Sequence, residues 1–253
     1  MSLQLGPWDA ALLIIVTAQS TLMAYLHAPR LKALIYVLPL PFTLATLALG
    51  QPLDSTHVLG ICLVPLYANT VRWLHYGARL AISAAIALGA TCQALLSVAL
   101  ARVVPVTSAA FWLSMGLLLA GGLAMYLLTP AAHEPGYRSP LPVPIKTFLV
   151  AAVISGLILA KSYLGGFMSA FPMVGIVGAY EARHSLRTLC RAVPVLMISF
   201  VPLLVAGRLL GPSIGLGWAL LVGWGGYLLT MWLLSRLATG GETQERAKSK
   251  QAE

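Results

Sequence analysis

Few side chains in this sequence combine reactive or recognising chemistry with a place inside an apolar stretch. Gln19, Asn69 and Gln93 carry amides; Thr17, Ser20, Thr43, Thr46, Thr70, Thr91 and Ser155 carry hydroxyls. An unpaired amide in hydrocarbon is costly, so these groups are expected to face inward, either bonding helix to helix or lining a path for a solute. Prolines form a second set. Pro39 and Pro172 occupy matching places in two related runs, LKALIYVLPLP from Leu31 and LGGFMSAFPMV from Leu164, and Pro65 and Pro202 share a Val-Pro-Leu context at nearly the same offset. A proline within a helix lacks an N–H and frees the carbonyl four residues earlier, which in lipid must be satisfied by a neighbour or by water. Matched prolines therefore mark either packing kinks or broken helices around a polar site. Basic residues form the third set: Lys161 and Arg208 near helix ends on one side, and Arg187 with Arg183 and Arg191 on the other. These could hold a phosphate-bearing solute or a lipid headgroup, or serve as snorkelling anchors.

Other chemistries find no support. The acids Asp9, Asp54, Glu134, Glu181, Glu242, Glu245 and Glu253 all lie at span ends or in loops, whereas a proton- or sodium-coupled carrier usually holds a carboxylate near the bilayer centre. His27, His57, His75, His133 and His184 have neither haem nor zinc spacing, and Cys62, Cys92 and Cys190 form no CxxC pair. The glycine pairs follow no strand and precede no Gly-Lys-Ser/Thr, so they suit close helix approach rather than phosphate binding. Without a triad, carboxylate pair, metal cluster or nucleotide motif, the chain is not expected to be an enzyme or to carry a cofactor or metal.

The elements that must position these groups are membrane helices. The chain has 253 residues, 59% of them hydrophobic and 9% charged, with a mean hydropathy of +0.87. Apolar runs of helical membrane length appear at about 8–27, 31–50, 55–74, 80–101, 108–128, 146–162, 164–180, 190–207 and 212–235. The expected fold is thus all-α and polytopic, with about nine transmembrane helices and no alternation of a membrane strand. The first span has no basic flank and no cleavage site, so it is expected to stay in the mature protein. With the N-terminus outside and the C-terminus inside, every basic residue except Arg102, Lys161 and Arg208 falls in a cytoplasmic segment. The net charge of +9 is then a topology signal, and no nucleic-acid partner is expected.

The repeat and the topology interlock. Residues 8–101 form one four-helix unit, 108–128 a linking helix and 145–235 the second unit, and the single linking helix inverts the second copy. The connector TPAAHEPGYRSPLPVPIK holds five prolines and reads as a stiff cytoplasmic link. One integral membrane domain covers residues 1–236, followed by a polar tail, 237–253, expected to be disordered and cytoplasmic.

Ile145-Lys146, Ala160-Lys161, Gly165-Gly166, Phe171-Pro172 and Leu186-Arg187-Thr188 resemble, in order and spacing, the GlpM family of small bacterial inner-membrane proteins. The likeness covers roughly 90 residues of the second half; the first half keeps Pro39 but has Leu38 where the family-like Phe would stand and no Leu-Arg-Thr. The resemblance implies a multi-pass protein of the bacterial cytoplasmic membrane, linked to glycerol-phosphate gene sets and in some bacteria to exopolysaccharide production, with no catalytic residues to carry over. A single-unit relative would pair two chains, whereas this chain contains both copies.

The leading expectation is a transporter or channel-like protein for a small solute, anionic in its sharpest form, or a lipid. Its site would lie between the repeats and draw on Gln19, Pro39, Asn69, Gln93, Lys161, Pro172 and Arg187. The competing expectation is a non-transporting scaffold of an envelope polysaccharide or lipid pathway. Expected partners are membrane lipids, a small solute, and a second copy or an envelope-pathway protein.

Overall fold

The computed structural model describes residues 6–129, 134, 147–148, 151–152, 154–156 and 164–251, with the side chains of 237–251 left aside. It is all-helical among these residues. The helices are α1 (Pro7–Tyr25), α2 (Pro29–Tyr36), α3 (Leu40–Leu49), α4 (Ser55–Arg72), α5 (Ile82–Val103), α6 (Ser108–Leu128), α7 (Met173–Glu181), α8 (Leu186–Ile214) and α9 (Leu216–Gln251). A π-helical turn, Trp73–Gly77, extends α4, and a 3-10 turn, Gly165–Met168, precedes α7.

Six stretches are long and apolar enough to cross a membrane: Pro7–Tyr25, Pro29–Leu49, Ile82–Val103, Ser108–Leu128, Leu186–Ile214 and Leu216–Arg236. This fits a multi-pass membrane protein. Burial divides them: 61% of the α8 window is inside the molecule, against 22% for α9 and 28% for α5 and α6. The outer faces of the latter three display Leu95, Leu113, Leu117, Leu127 and Leu229, a surface suited to lipid rather than water. Helix α4 falls short of the hydropathy of the six because His57, Asn69 and Arg72 lie in it. Most of its residues are nevertheless buried, and it packs against α5, α6, α8 and the 3-10 turn. Helix α9 continues to Gln251, through the segment that composition marks as a disordered tail; Glu245, Arg246, Ala247 and Lys248 are good helix formers.

Two helix entries are capped by side chains, one locally and one from a distant part of the chain. Asp54 caps α4: its carboxylate accepts the N–H of Thr56 at 2.9 Å and the Nδ1 of His57 lies 2.9 Å away. Gly166 of the 3-10 turn rests directly on this cap, and a Cβ there would run into Thr56 Oγ1 and His57 Nδ1. At the start of α8, Glu134 accepts the Thr188 N–H at 2.7 Å and the Thr188 hydroxyl at 2.9 Å. The Tyr76 hydroxyl accepts the Leu186 N–H at 3.3 Å and donates to the Arg183 carbonyl at 3.0 Å. Both caps answer the unpaired first-turn amides that every helix presents.

Burial raises the Asp54 carboxyl, but the bonds from His57 and Thr56 outweigh it and hold the group at about 2. Because the folded value is depressed, its contribution is complete above the ordinary aspartate range and is lost as pH falls toward about 2. In detergent, wild-type protein is expected to lose thermal stability between about pH 4 and 2 more steeply than Asp54→Asn. At neutral pH Asp54→Ala, which removes the capping oxygen altogether, is expected to be less stable than wild type by about 1 kcal/mol, the usual worth of a cap.

Candidate functional site

Two breaks ahead of helix starts, one between α2 and α3 and one between the 3-10 turn and α7, lie at the centre of the molecule. At the first the chain bends at Val37-Leu38 and resumes as α3, with Pro39 as its N-cap; at the second it passes from the 3-10 turn through Ser169–Phe171 and resumes as α7, with Pro172 as its N-cap. Proline disfavours helical backbone in the preceding residue and cannot donate to the turn before it, so the chain breaks at these points. The matched prolines of the sequence thus hold the same structural place. The two elements run antiparallel where α2 meets α7. Lys32 near the start of α2 donates from Nζ to the carbonyl of Glu181 at the end of α7, at 2.7 Å, while Tyr36 at the end of α2 lies beside Gly175 and Gly178.

Each freed carbonyl of the first break has a donor from elsewhere. The carbonyl of Ile35 would accept from residue 39 in an unbroken helix; here Gln19 Nε2 of α1 donates to it at 2.7 Å. The carbonyl of Val37 would accept from residue 41, which is Pro41; here the Tyr227 hydroxyl of α9 donates to it. Thr43 turns back onto the Pro39 carbonyl at 2.8 Å, and Trp224 Nε1 of α9 donates to the Thr43 hydroxyl at 2.9 Å. Edge-to-face rings continue the tie: Phe42 to Phe200 at 4.9 Å and Phe200 to Tyr227 at 5.3 Å. The second break closes on itself, with the Phe171 N–H donating to Met168 at 3.2 Å and the Ser169 hydroxyl to Gly166 at 2.7 Å.

Both breaks line one cleft. Its walls include Tyr36, Leu38, Pro39, Pro41 and Phe42 from the first, Ser169–Gly175 from the second, Ile61 and Val64 from α4, and Leu196 and Phe200 from α8. The first turns of α3 and α7 therefore meet at a shared space, and neither has a side-chain cap. Helix N-termini carry partial positive charge and first-turn N–H groups without helical partners; among the described residues those of Leu40, Phe42, Val174 and Gly175 make no backbone bond outside the helices. Gly175 is required by the fit: a Cβ there would stand 2.9 Å from Pro172 Cβ and 3.2 Å from Tyr67 Cε1. The cleft offers about 50 Å³, room for a few waters or a small ion, whereas pockets for organic ligands run to roughly 300–1,000 Å³.

The residues singled out by sequence separate on this geometry. Pro39 and Pro172 come together at the cleft. Gln19 does not line it; its amide is engaged with the Ile35 carbonyl behind the break. Asn69 is half-buried and donates to the Pro65 carbonyl of its own helix at 2.8 Å. Gln93 is 1% exposed, and neither of its amide atoms is paired among the described residues. Arg187 is exposed in the first turn of α8, and Lys161 lies outside the described residues. Sequence reasoning missed Tyr227, Phe200 and Phe42. One signal was available: Pro41 as well as Pro39 frees a carbonyl, which demands a second donor. Among the described residues no group of three or more His, Cys, Asp or Glu is placed to hold a metal ion.

Comparison with family models, with curated proteins and with solved structures gave no match.

Leaving a buried carbonyl without its donor costs about 1–3 kcal/mol. Tyr227→Phe, which keeps the ring between Phe200 and α3, is expected to lose that much in detergent unfolding. Gln19→Leu is expected to lose less, because the Leu38 N–H also reaches the Ile35 carbonyl, at 3.3 Å. Tyr126→Phe, which removes a 3.3 Å bond to the Leu234 carbonyl at mid-length of α9, serves as the comparison and is expected to change stability least.

Proposed function

We propose that the chain is a channel-like or transporting protein of the bacterial cytoplasmic membrane that passes a small anion through the cleft between its two interrupted helices. The observation that carries this is the meeting of two helix N-termini without side-chain caps, from antiparallel elements, at one cleft. Such termini stabilise negative charge without a basic side chain, and broken helices at a repeat interface are a recurrent way to build a solute site in lipid. The cleft volume of about 50 Å³ favours an inorganic anion over an organic solute or a lipid. Further support comes from buried polar atoms unpaired among the described residues: Thr17 and Ser20 on α1, Thr46 on α3, Tyr67 on α4, Gln93 and Ser97 on α5, and Ser199 on α8. Each would be costly in a dry interior, and hydration of the bundle would relieve it. In this proposal two inverted four-helix units are joined by α6, the N-terminus is outside and the C-terminus inside, as the basic residues suggest.

A scaffold without transport is favoured by one opposing observation. Apart from Tyr36 and Ser169 the side chains at the cleft are apolar or glycine, and the Ser169 hydroxyl is already bonded to Gly166. The GlpM-like motifs fit that alternative, in which the chain supports an envelope polysaccharide or lipid pathway.

Anion flux decides between them. Purified protein in liposomes is expected to dissipate gradients of small monovalent anions, and single cysteines at Leu38 and Ala170 in a cysteine-free variant are expected to react with small membrane-impermeant thiol reagents. Gly175→Val, which crowds the cleft against Pro172 and Tyr67, is expected to cut flux at least about tenfold, a barrier increase of about 1.4 kcal/mol. No flux together with uniform protection of both cysteines, in folded protein, would favour the scaffold.

A further inference from the structure

A second and larger cavity lies away from the cleft, where the connector between α3 and α4 meets the end of α8. It offers about 520 Å³, within the range of organic-ligand pockets. Gly50–Leu53 form one wall, and Gly207, Arg208, Gly211, Pro212 and Leu216 form the other. Among the described residues Arg208 is its one charged lining residue. It lies eight residues beyond Phe200 on α8, roughly 12 Å of helix rise, which separates this cavity from the cleft.

The guanidinium is held in place rather than loose. Nη1 donates to the Leu53 carbonyl at 2.8 Å, and the group lies over the Phe111 ring at 5.3 Å from its centroid. Both supports are fully buried, and Leu53 packs against the bare backbone of Gly207. No carboxylate pairs with Arg208 among the described residues; the Asp54 carboxylate beyond Leu53 is engaged with Thr56 and His57. A guanidinium has five N–H donors, so most remain for another acceptor, in the forked geometry that matches a phosphate or carboxylate. Gln51 adds an exposed amide to the same wall.

We propose that the Arg208 cavity is a binding site for a phosphate-class oxyanion, with the guanidinium as its fixed fork and Gln51 as a second donor. The ligand is either a free phosphate compound or the headgroup of an anionic phospholipid. The site stands whether or not the cleft conducts.

The test uses full-length protein in detergent, titrated with inorganic phosphate and separately with short-chain phosphatidylglycerol, the dissociation constants read by calorimetry. Arg208→Ala removes the fork but also its bonds to Leu53 and Phe111. Gly211→Leu is the decisive variant, because Gly211 lines the cavity and a Cβ there meets nothing within 4 Å, so the substitution adds bulk at the wall while keeping the Arg208 side chain. Both variants are expected to weaken binding at least about tenfold, or 1.4 kcal/mol, while Arg102→Ala, at an exposed position, leaves it unchanged. Binding of phosphate with or without the lipid identifies a free-anion site, and binding of the lipid alone a headgroup site. The proposal is overturned if wild-type protein binds neither probe, if Gly211→Leu binds as well as wild type, or if Arg102→Ala weakens binding as much as Arg208→Ala.

Discussion

A proline in a membrane helix leaves a carbonyl that lipid cannot satisfy, and the centre of this molecule is arranged around that constraint. The sequence Leu38-Pro39-Leu40-Pro41 frees two carbonyls within three residues. One is answered from α1 by Gln19 and the other from α9 by Tyr227, so helices from opposite ends of the chain are drawn to a single point. The Phe42–Phe200–Tyr227 ring contacts bring α8 to the same place. Aromatic pairs of this kind contribute about 0.5–1.5 kcal/mol each beyond their buried area. The break is thus a junction of α1, α3, α8 and α9, with its carbonyls directed to fixed partners and the start of α3 at the cleft.

The two breaks reach the same outcome by different means. The second carries one proline at its turn, and a 3-10 turn supplies the Met168 carbonyl locally. What it needs from outside is space, and it finds this where Gly166 rests on the Asp54 cap of α4 and Gly175 on Tyr36 and Tyr67. The first break depends on distant hydrogen bonds and the second on glycine contacts. Lys32 joins them at one end: its buried Nζ donates to the Glu181 carbonyl at the C-terminus of α7, so that its loss would be felt by both elements.

Much of the helical layout was legible in the sequence because hydropathy and length are local properties. The run at 108–128 coincides with Ser108–Leu128, and the paired prolines marked both interruptions. The roles of side chains were less legible. Gln19 was recognisable as inward-facing, yet only the position of Ile35 distinguishes a solute ligand from a donor to a freed carbonyl. Tyr227 sits in a helix with no periodicity to mark it, and its partner is 190 residues away. Asn69 looked like part of a lining but bonds within its own helix. Ile145-Lys146 and Ala160-Lys161 lie outside the described residues. Helix α4 combines a central position with polar residues, so burial inside the bundle, rather than hydropathy alone, accounts for its place.

The dependence of the break on its carbonyl donors is most directly measured by a double-mutant cycle on unfolding stability between Tyr227→Phe and Pro41→Ala. Alanine at position 41 restores the N–H that the Val37 carbonyl lacks, so the account predicts that removing the tyrosine hydroxyl costs much less in the Pro41→Ala background, with a coupling of at least about 1 kcal/mol. Simple additivity of the two substitutions would mean that Tyr227 stabilises the fold by some other route, and would contradict a cleft built on satisfied proline breaks.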